Sequence, residues 1–251
     1  GSGVICGIPV QQLREDSVKE LNLSYRGLHV PAAMLVAYLI PATSVLRRCN
    51  LLKNSFDVES AKKLAKMGAE KGIMLSGMMR DQTAATFMGL QAANTILIAS
   101  DLKFMAVVTT LDLGYNSIGV EGAKAIAEAL KVNAVLTELH LSNNNIGVDG
   151  AKAIAEALKV NAVVTTLDLE NNNIGPEGAI AIAEALKVNA VVTTLGLNSN
   201  DIGPVGAIAI TEALKVNAVL TKLYLKYNMG EAGKQAVRGA VKDRSGFELW
   251  I

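Results

Sequence analysis

The stretch from Gly122 to Val135 returns without change from Gly150 to Val163, and near copies open at Gly178 and Gly206, each 28 residues after the last. A fixed period of this length severely limits the possible folds. Each copy is one supersecondary unit that cannot bury its apolar side alone, so successive copies must stack and share one elongated core. The side chains agree with that. Apolar residues make up 51% of the chain but aromatics only 4%, so the core is built from Ala, Val, Ile and Leu. Small aliphatics suit thin repeated layers better than one thick centre.

Two periodicities alternate within each unit. Leu111-Asp112-Leu113 recurs as Leu139-His140-Leu141, Leu167-Asp168-Leu169, Leu195-Gly196-Leu197 and Leu223-Tyr224-Leu225, the alternation of a half-buried strand. Ala123, Ile126, Ala127 and Leu130 then fall on one face of a helix. Glu121 and Asp149 stand near helix starts, where the backbone dipole favours an acid. Pro176 and Pro204 stand at a first-turn position, which proline tolerates. Lys131-Val132-Asn133 marks the exit, with Asn133 expected to take a left-handed turn. Between strand and helix stand Asn116, Asn144, Asn172, Asn200 and Asn228. Their amides can satisfy backbone groups that the turn leaves unpaired, forming a structural ladder. The expected fold class is α/β. Strands about 4.8 Å apart and helices about 8–10 Å apart force curvature, so a parallel sheet lines the inside and helices the outside.

The wording L-x-L-x-x-N-x-I-G-x-x-G-A-x-x-I-A-x-A-L from Leu111 to Leu130 resembles the 28-residue, ribonuclease-inhibitor-like class of leucine-rich repeats. Ribonuclease inhibitor, the Ran GTPase-activating protein and the repeat arms of NOD-like receptors share this class. The uniform A-I-A-E-A-L-K-V-N-A-V text is also similar to repeat proteins expanded in algae and other protists. The resemblance implies a right-handed β/α leucine-rich-repeat solenoid, or horseshoe. Residues 105–251 form its regular repeats and C-terminal cap. Residues 1–104 form divergent repeats of the same continuous solenoid. There Leu21-Asn22-Leu23 and Cys49-Asn50-Leu51 fill strand slots, and Asn54 and Phe56 follow at the expected offsets. A strand is expected at Ile73–Leu75, an irregular loop at 76–88, and a helix from Ala92 to Leu102. Phe247 to Ile251 reads as a closing strand. Gly1-Ser2-Gly3 reads as a processed end or an added tag.

The register places variable residues on the concave face: Asp112, Tyr115, Glu138, His140, Asp168, Glu170, Asn198, Lys222, Tyr224, Lys226 and Tyr227. These are the expected partner-binding residues, acidic in the middle and basic and aromatic at the C-terminal end. On the convex side Lys124 and Lys152 give way to Ile180 and Ile208, a second candidate patch. His140, flanked by Asp112 and Asp168 with Ser142 nearby, has the composition of a hydrolytic set. An open sheet offers no oxyanion hole, so catalysis is not expected. The two acids would favour protonated His140 and pH-sensitive binding. A formal net charge of +1 and the lack of a basic stripe argue against nucleic acid. No metal-ligand spacing occurs, and no cofactor is expected. The apolar run from Pro31 to Ala42 is too short to span a membrane. Cys6 and Cys49 read as reduced thiols of a cytoplasmic protein. The function expected is a non-catalytic scaffold that binds protein partners through the concave sheet or adjacent loops, either free or as a subunit of a larger complex. The alternatives are a regulator of a small GTPase, by resemblance to the Ran GTPase-activating protein, or an intracellular sensor arm. Against the GTPase role, the regular strand-to-helix loops carry no Arg.

Overall fold

The computed structural model describes residues 3–251, so Gly1 and Ser2 of the opening tripeptide lie outside the described residues. A small antiparallel hairpin, β1 (Val4–Ile5) and β2 (Ile8–Pro9), leads into α1 (Val10–Arg14). Strand and helix then alternate: β3 (Glu20–Asn22), α2 (Val30–Leu39), β4 (Arg48–Asn50) and α3 (Val58–Lys71). Next come β5 (Ala84–Thr86), α4 (Ala92–Leu102), β6 (Thr110–Asp112) and α5 (Gly119–Leu130). The regular units continue through β7 (Glu138–His140), α6 (Gly147–Leu158), β8 (Thr166–Asp168) and α7 (Gly175–Leu186). They close with β9 (Thr194–Gly196), α8 (Gly203–Val216), β10 (Lys222–Tyr224), α9 (Glu231–Val241) and β11 (Glu248–Trp250). Strands β5 to β11 form one seven-stranded sheet in sequence order, every pair parallel. Consecutive helices pack against one another, as expected of a β/α leucine-rich-repeat solenoid.

The core lies between sheet and helices. Leu111, Leu113, Ile118, Ala123 and Ile126 are fully buried, as are their counterparts in the next two units. Helices approach closely because their facing residues are small. A methyl group added to Gly178 would meet Ala151 Cβ at 3.0 Å and Ile174 Cγ2 at 2.4 Å.

Two asparagine ladders hold the layers in register. Asn172 accepts hydrogen bonds from Asn144 N (3.0 Å) and Ile146 N (3.3 Å) and donates to Leu141 O and Glu170 O. Asn116, Asn144, Asn200 and Asn228 fill the same slot, and Asn54 extends it into the divergent half, accepting from Arg26 N and Leu28 N. The second ladder is a correction to the expected left-handed exit turn. Asn133, Asn161, Asn189 and Asn217 are buried and absent from the left-handed residues. Asn133 donates to Leu102 O of the preceding unit (2.8 Å) and accepts from Val135 N and Leu136 N.

The divergent half departs from the pattern at one place. The strand expected at Ile73–Leu75 shrinks to a single bridge, Arg48 to Met74. The segment expected to be irregular contains β5, only ten residues beyond Met74, with no helix between them. The sheet therefore breaks between Met74 and β5. The helix stack does not break, because α3 packs directly on α4. Polar groups of α4 replace the missing ladder. Asp101 accepts from Leu75 N (2.8 Å), Ser76 N (2.7 Å) and Ser76 Oγ (2.6 Å), and Ser100 Oγ donates to Ala65 O (3.0 Å). Every residue from Ala93 to Leu102 is buried. Lys62 of α3 reaches over this sunken helix to Glu121 of α5 (2.9 Å).

Candidate functional site

The sheet sets Asp112, His140, Asp168, Gly196, Tyr224 and Trp250 side by side in one row. A second row holds Thr110, Glu138, Thr166, Thr194, Lys222 and Glu248. The acids of the middle strands are partly committed to the backbone. Asp112 Oδ1 accepts from Gly114 N (2.9 Å) and Asp168 Oδ1 from Glu170 N (3.0 Å), so each carboxylate closes its own turn. Burial raises the Asp168 carboxyl above its ordinary range, with the Glu170 N–H bond opposing and the Glu170 charge adding to the rise. Glu170 Oε2 accepts from Asn198 Nδ2 (3.0 Å), and Asn198 Oδ1 accepts from Lys226 N (2.8 Å), tying three units together. His140 Nε2 stands 4.0 Å from Glu138 Oε2. Among the described residues, no hydrogen bond joins His140 to Asp112, Asp168 or Ser142, so the hydrolytic set is not assembled.

The C-terminal end presents a different surface. Tyr224 and Trp250 stack with ring centroids 6.0 Å apart, and Lys226 Nζ lies 5.1 Å from the Trp250 ring centre. Lys222 pairs with Glu248 (2.9 Å). Trp250 is 46% exposed. Sequence reasoning placed it in a closing strand and missed it as a site residue. The signal was the alternation in Glu248-Leu249-Trp250, which puts Glu248 and Trp250 on the open face.

Along the adjoining loop edge, one slot repeats in the left-handed backbone region: Tyr25, Lys53, Tyr115, Asn143, Asn171, Ser199 and Tyr227, with φ between 52° and 59°. Several of these residues donate N–H to the neighbouring unit, as Tyr115 does to Ser142 O (2.9 Å). Asn tolerates this conformation, whereas a bulky residue does so at a cost. Yet the tyrosines at 25, 115 and 227 are 70, 76 and 82% exposed, so little packing offsets that cost. Tyr115→Asn is therefore expected to stabilise the fold by about 0.5–1 kcal/mol, seen as a raised urea midpoint with unchanged slope. A lowered midpoint would refute the strain. On the convex side Ile180 is half-buried and Ile208 exposed, with exposed Val205 one turn before Ile208.

A family model agrees with the repeat period. The leucine-rich repeat family model matches residues 105–127, 132–155, 160–183 and 188–210. No curated protein sequence matches significantly. Among solved structures, the actin-binding site 2 of leiomodin-1 is 29% identical over 49% of this chain and 72% of its own, at a TM-score of 0.44. The tropomodulin C-terminal domain of Caenorhabditis elegans is 14% identical over 74% of this chain and 92% of its own, at 0.46. The leucine-rich repeat-containing protein LegL7 of Legionella pneumophila is 22% identical over 95% of this chain and 77% of its own, at 0.43.

Proposed function

We propose that this leucine-rich-repeat protein is a non-catalytic scaffold that binds a protein partner through the C-terminal part of its concave sheet and the adjoining loop edge. The carrying observation is the set of aromatic side chains held outward on a rigid frame. Tyr224, Trp250 and Tyr227 offer large contact area with few torsions to freeze, and Lys226 adds a cation. Their neighbours are fixed by bonds between units, so little ordering is needed on binding. The middle acids Asp112 and Asp168 serve mainly the turns, while Glu138 and His140 remain available for contact.

The test is affinity capture from the source cell with the chain and with a Trp250→Ala, Tyr227→Ala variant. The expected result is a defined set of captured proteins that falls by about tenfold or more in the variant, since aromatic anchors carry a large share of binding energy. Capture unchanged by both substitutions would move the binding surface elsewhere. Among the described residues no helix is long and apolar enough to cross a membrane.

A further inference from the structure

The break in the sheet creates a feature with no counterpart in the regular units. Arg47 and Arg48 at β4 and Arg80 from the loop after Met74 converge on a depression of about 280 Å³ on the concave side. Buried Met74 and Met78 lie beneath it, and Met79, 52% exposed, stands at its rim. The chain has no arginine between Arg80 and Arg238, so this concentration of guanidinium groups is local.

Of the three, only Arg48 makes a direct ion pair, with Glu20 at 2.6 Å, while Arg47 and Arg80 act on Asp16 and Asp101 only through space. The Arg47 guanidinium donates to Ser44 O (2.8 Å) and Leu46 O (3.3 Å), and that of Arg80 donates to Gly72 O (3.1 Å). Neither of these two makes an ion pair among the described residues. Bonds to main-chain carbonyls orient both groups while leaving further N–H donors unused. That is the condition for pre-organised recognition of a carboxylate or similar planar anion.

We infer that this notch receives a short acidic and apolar segment of a partner protein, with carboxylates on Arg47 and Arg80 and an aliphatic side chain against Met79. The flexible thioether adapts to varied apolar side chains. Glu20 and Asp81 at the rim, and the acidic strands beyond, disfavour a long polyanion such as a nucleic acid, which would also leave Met79 unused. The inference rests on the scaffold reading but on a different part of the face.

The test uses a fluorescein-labelled hexapeptide of alternating Glu and Leu, followed by fluorescence polarisation. A Lys–Leu peptide, inorganic phosphate and an oligothymidylate serve as comparators. Saturable binding is expected for the Glu–Leu peptide, weakened about tenfold or more by R47Q with R80Q and by raised salt, and untouched by Trp250→Ala. Circular dichroism verifies that the variants fold, and R47K with R80K is expected to recover only part of the affinity, because lysine lacks the planar fork. Three outcomes would each overturn the inference: no saturable binding, equal binding by the double glutamine variant, or equal competition by phosphate or the oligonucleotide. If the peptide fails while Trp250→Ala still abolishes cellular capture, the notch is refuted and the scaffold stands. The reverse pattern would refute the C-terminal surface alone.

Discussion

Replacing Asn172 with alanine is expected to lower the unfolding free energy by about 3–5 kcal/mol, and Asn200, which makes the same bonds one unit on, should behave alike. The amide accepts from two backbone N–H groups of the preceding unit and donates to two backbone carbonyls, and Asn172 itself is fully buried. Alanine would strand the N–H groups of Asn144 and Ile146, each at about 1–3 kcal/mol. Water cannot easily reach them, because Ile146 and Leu141 are also fully buried. In a stacked array the damage falls on two adjoining layers at once. Urea unfolding followed by circular dichroism measures it, and a loss below about 1 kcal/mol would show that the ladder is dispensable.

Asp101→Ala is expected to cost about 3 kcal/mol at neutral pH, with a cost that grows on acidification. Alanine would leave the N–H groups of Leu75 and Ser76 without their acceptor. The pH dependence follows from burial, which pushes the Asp101 carboxyl up to about 6 despite bonds from Ser76 and Leu75 and the charge of Arg80. A folded-state value above the unfolded one means that the native chain binds the proton more tightly. The stabilisation from protonation is complete below about pH 4, and is lost as pH rises through 6. Between pH 7 and 5 the wild type should therefore gain about 1 kcal/mol over the alanine variant. Parallel urea titrations at the two pH values provide the check. A gap that narrows toward pH 5 would reverse the sign and exclude this account.

These two residues also illustrate what the sequence revealed. Asn172 was legible because its slot recurs at a fixed offset from a Leu-x-Leu strand, and one amide must serve every turn of that type. The strand at Ala84–Thr86 was not, because Ala-Ala-Thr lacks the leucine alternation. Its pairing is set by β6 rather than by its own side chains. Asp101 occupies the slot of Ala129, and nothing in the repeat pattern points to the donors of Leu75 and Ser76 that the broken sheet brings to it. Asn133 has the residue type of a left-handed exit, but its amide bonds across layers instead, a tertiary demand that overrides local preference. Among the surface residues, register alone located the concave rows. It could not tell that Asp112 and Asp168 close their own turns, or that Trp250 stacks on Tyr224.

Segments 122–135 and 150–163 are identical, so the protein can tolerate a change in the number of its units. Each meets its neighbours through the same buried alanines and the same amide bonds. Removing or duplicating one 28-residue unit therefore joins like to like, and every surviving contact keeps its chemistry. An array lengthened or trimmed by one unit on the C-terminal side of α5 would keep its packing while sliding the aromatic end nearer to or farther from the arginine notch. The contacts around Asp101 are not repeated in the regular units, so that seam is the fixed origin from which the distance is measured.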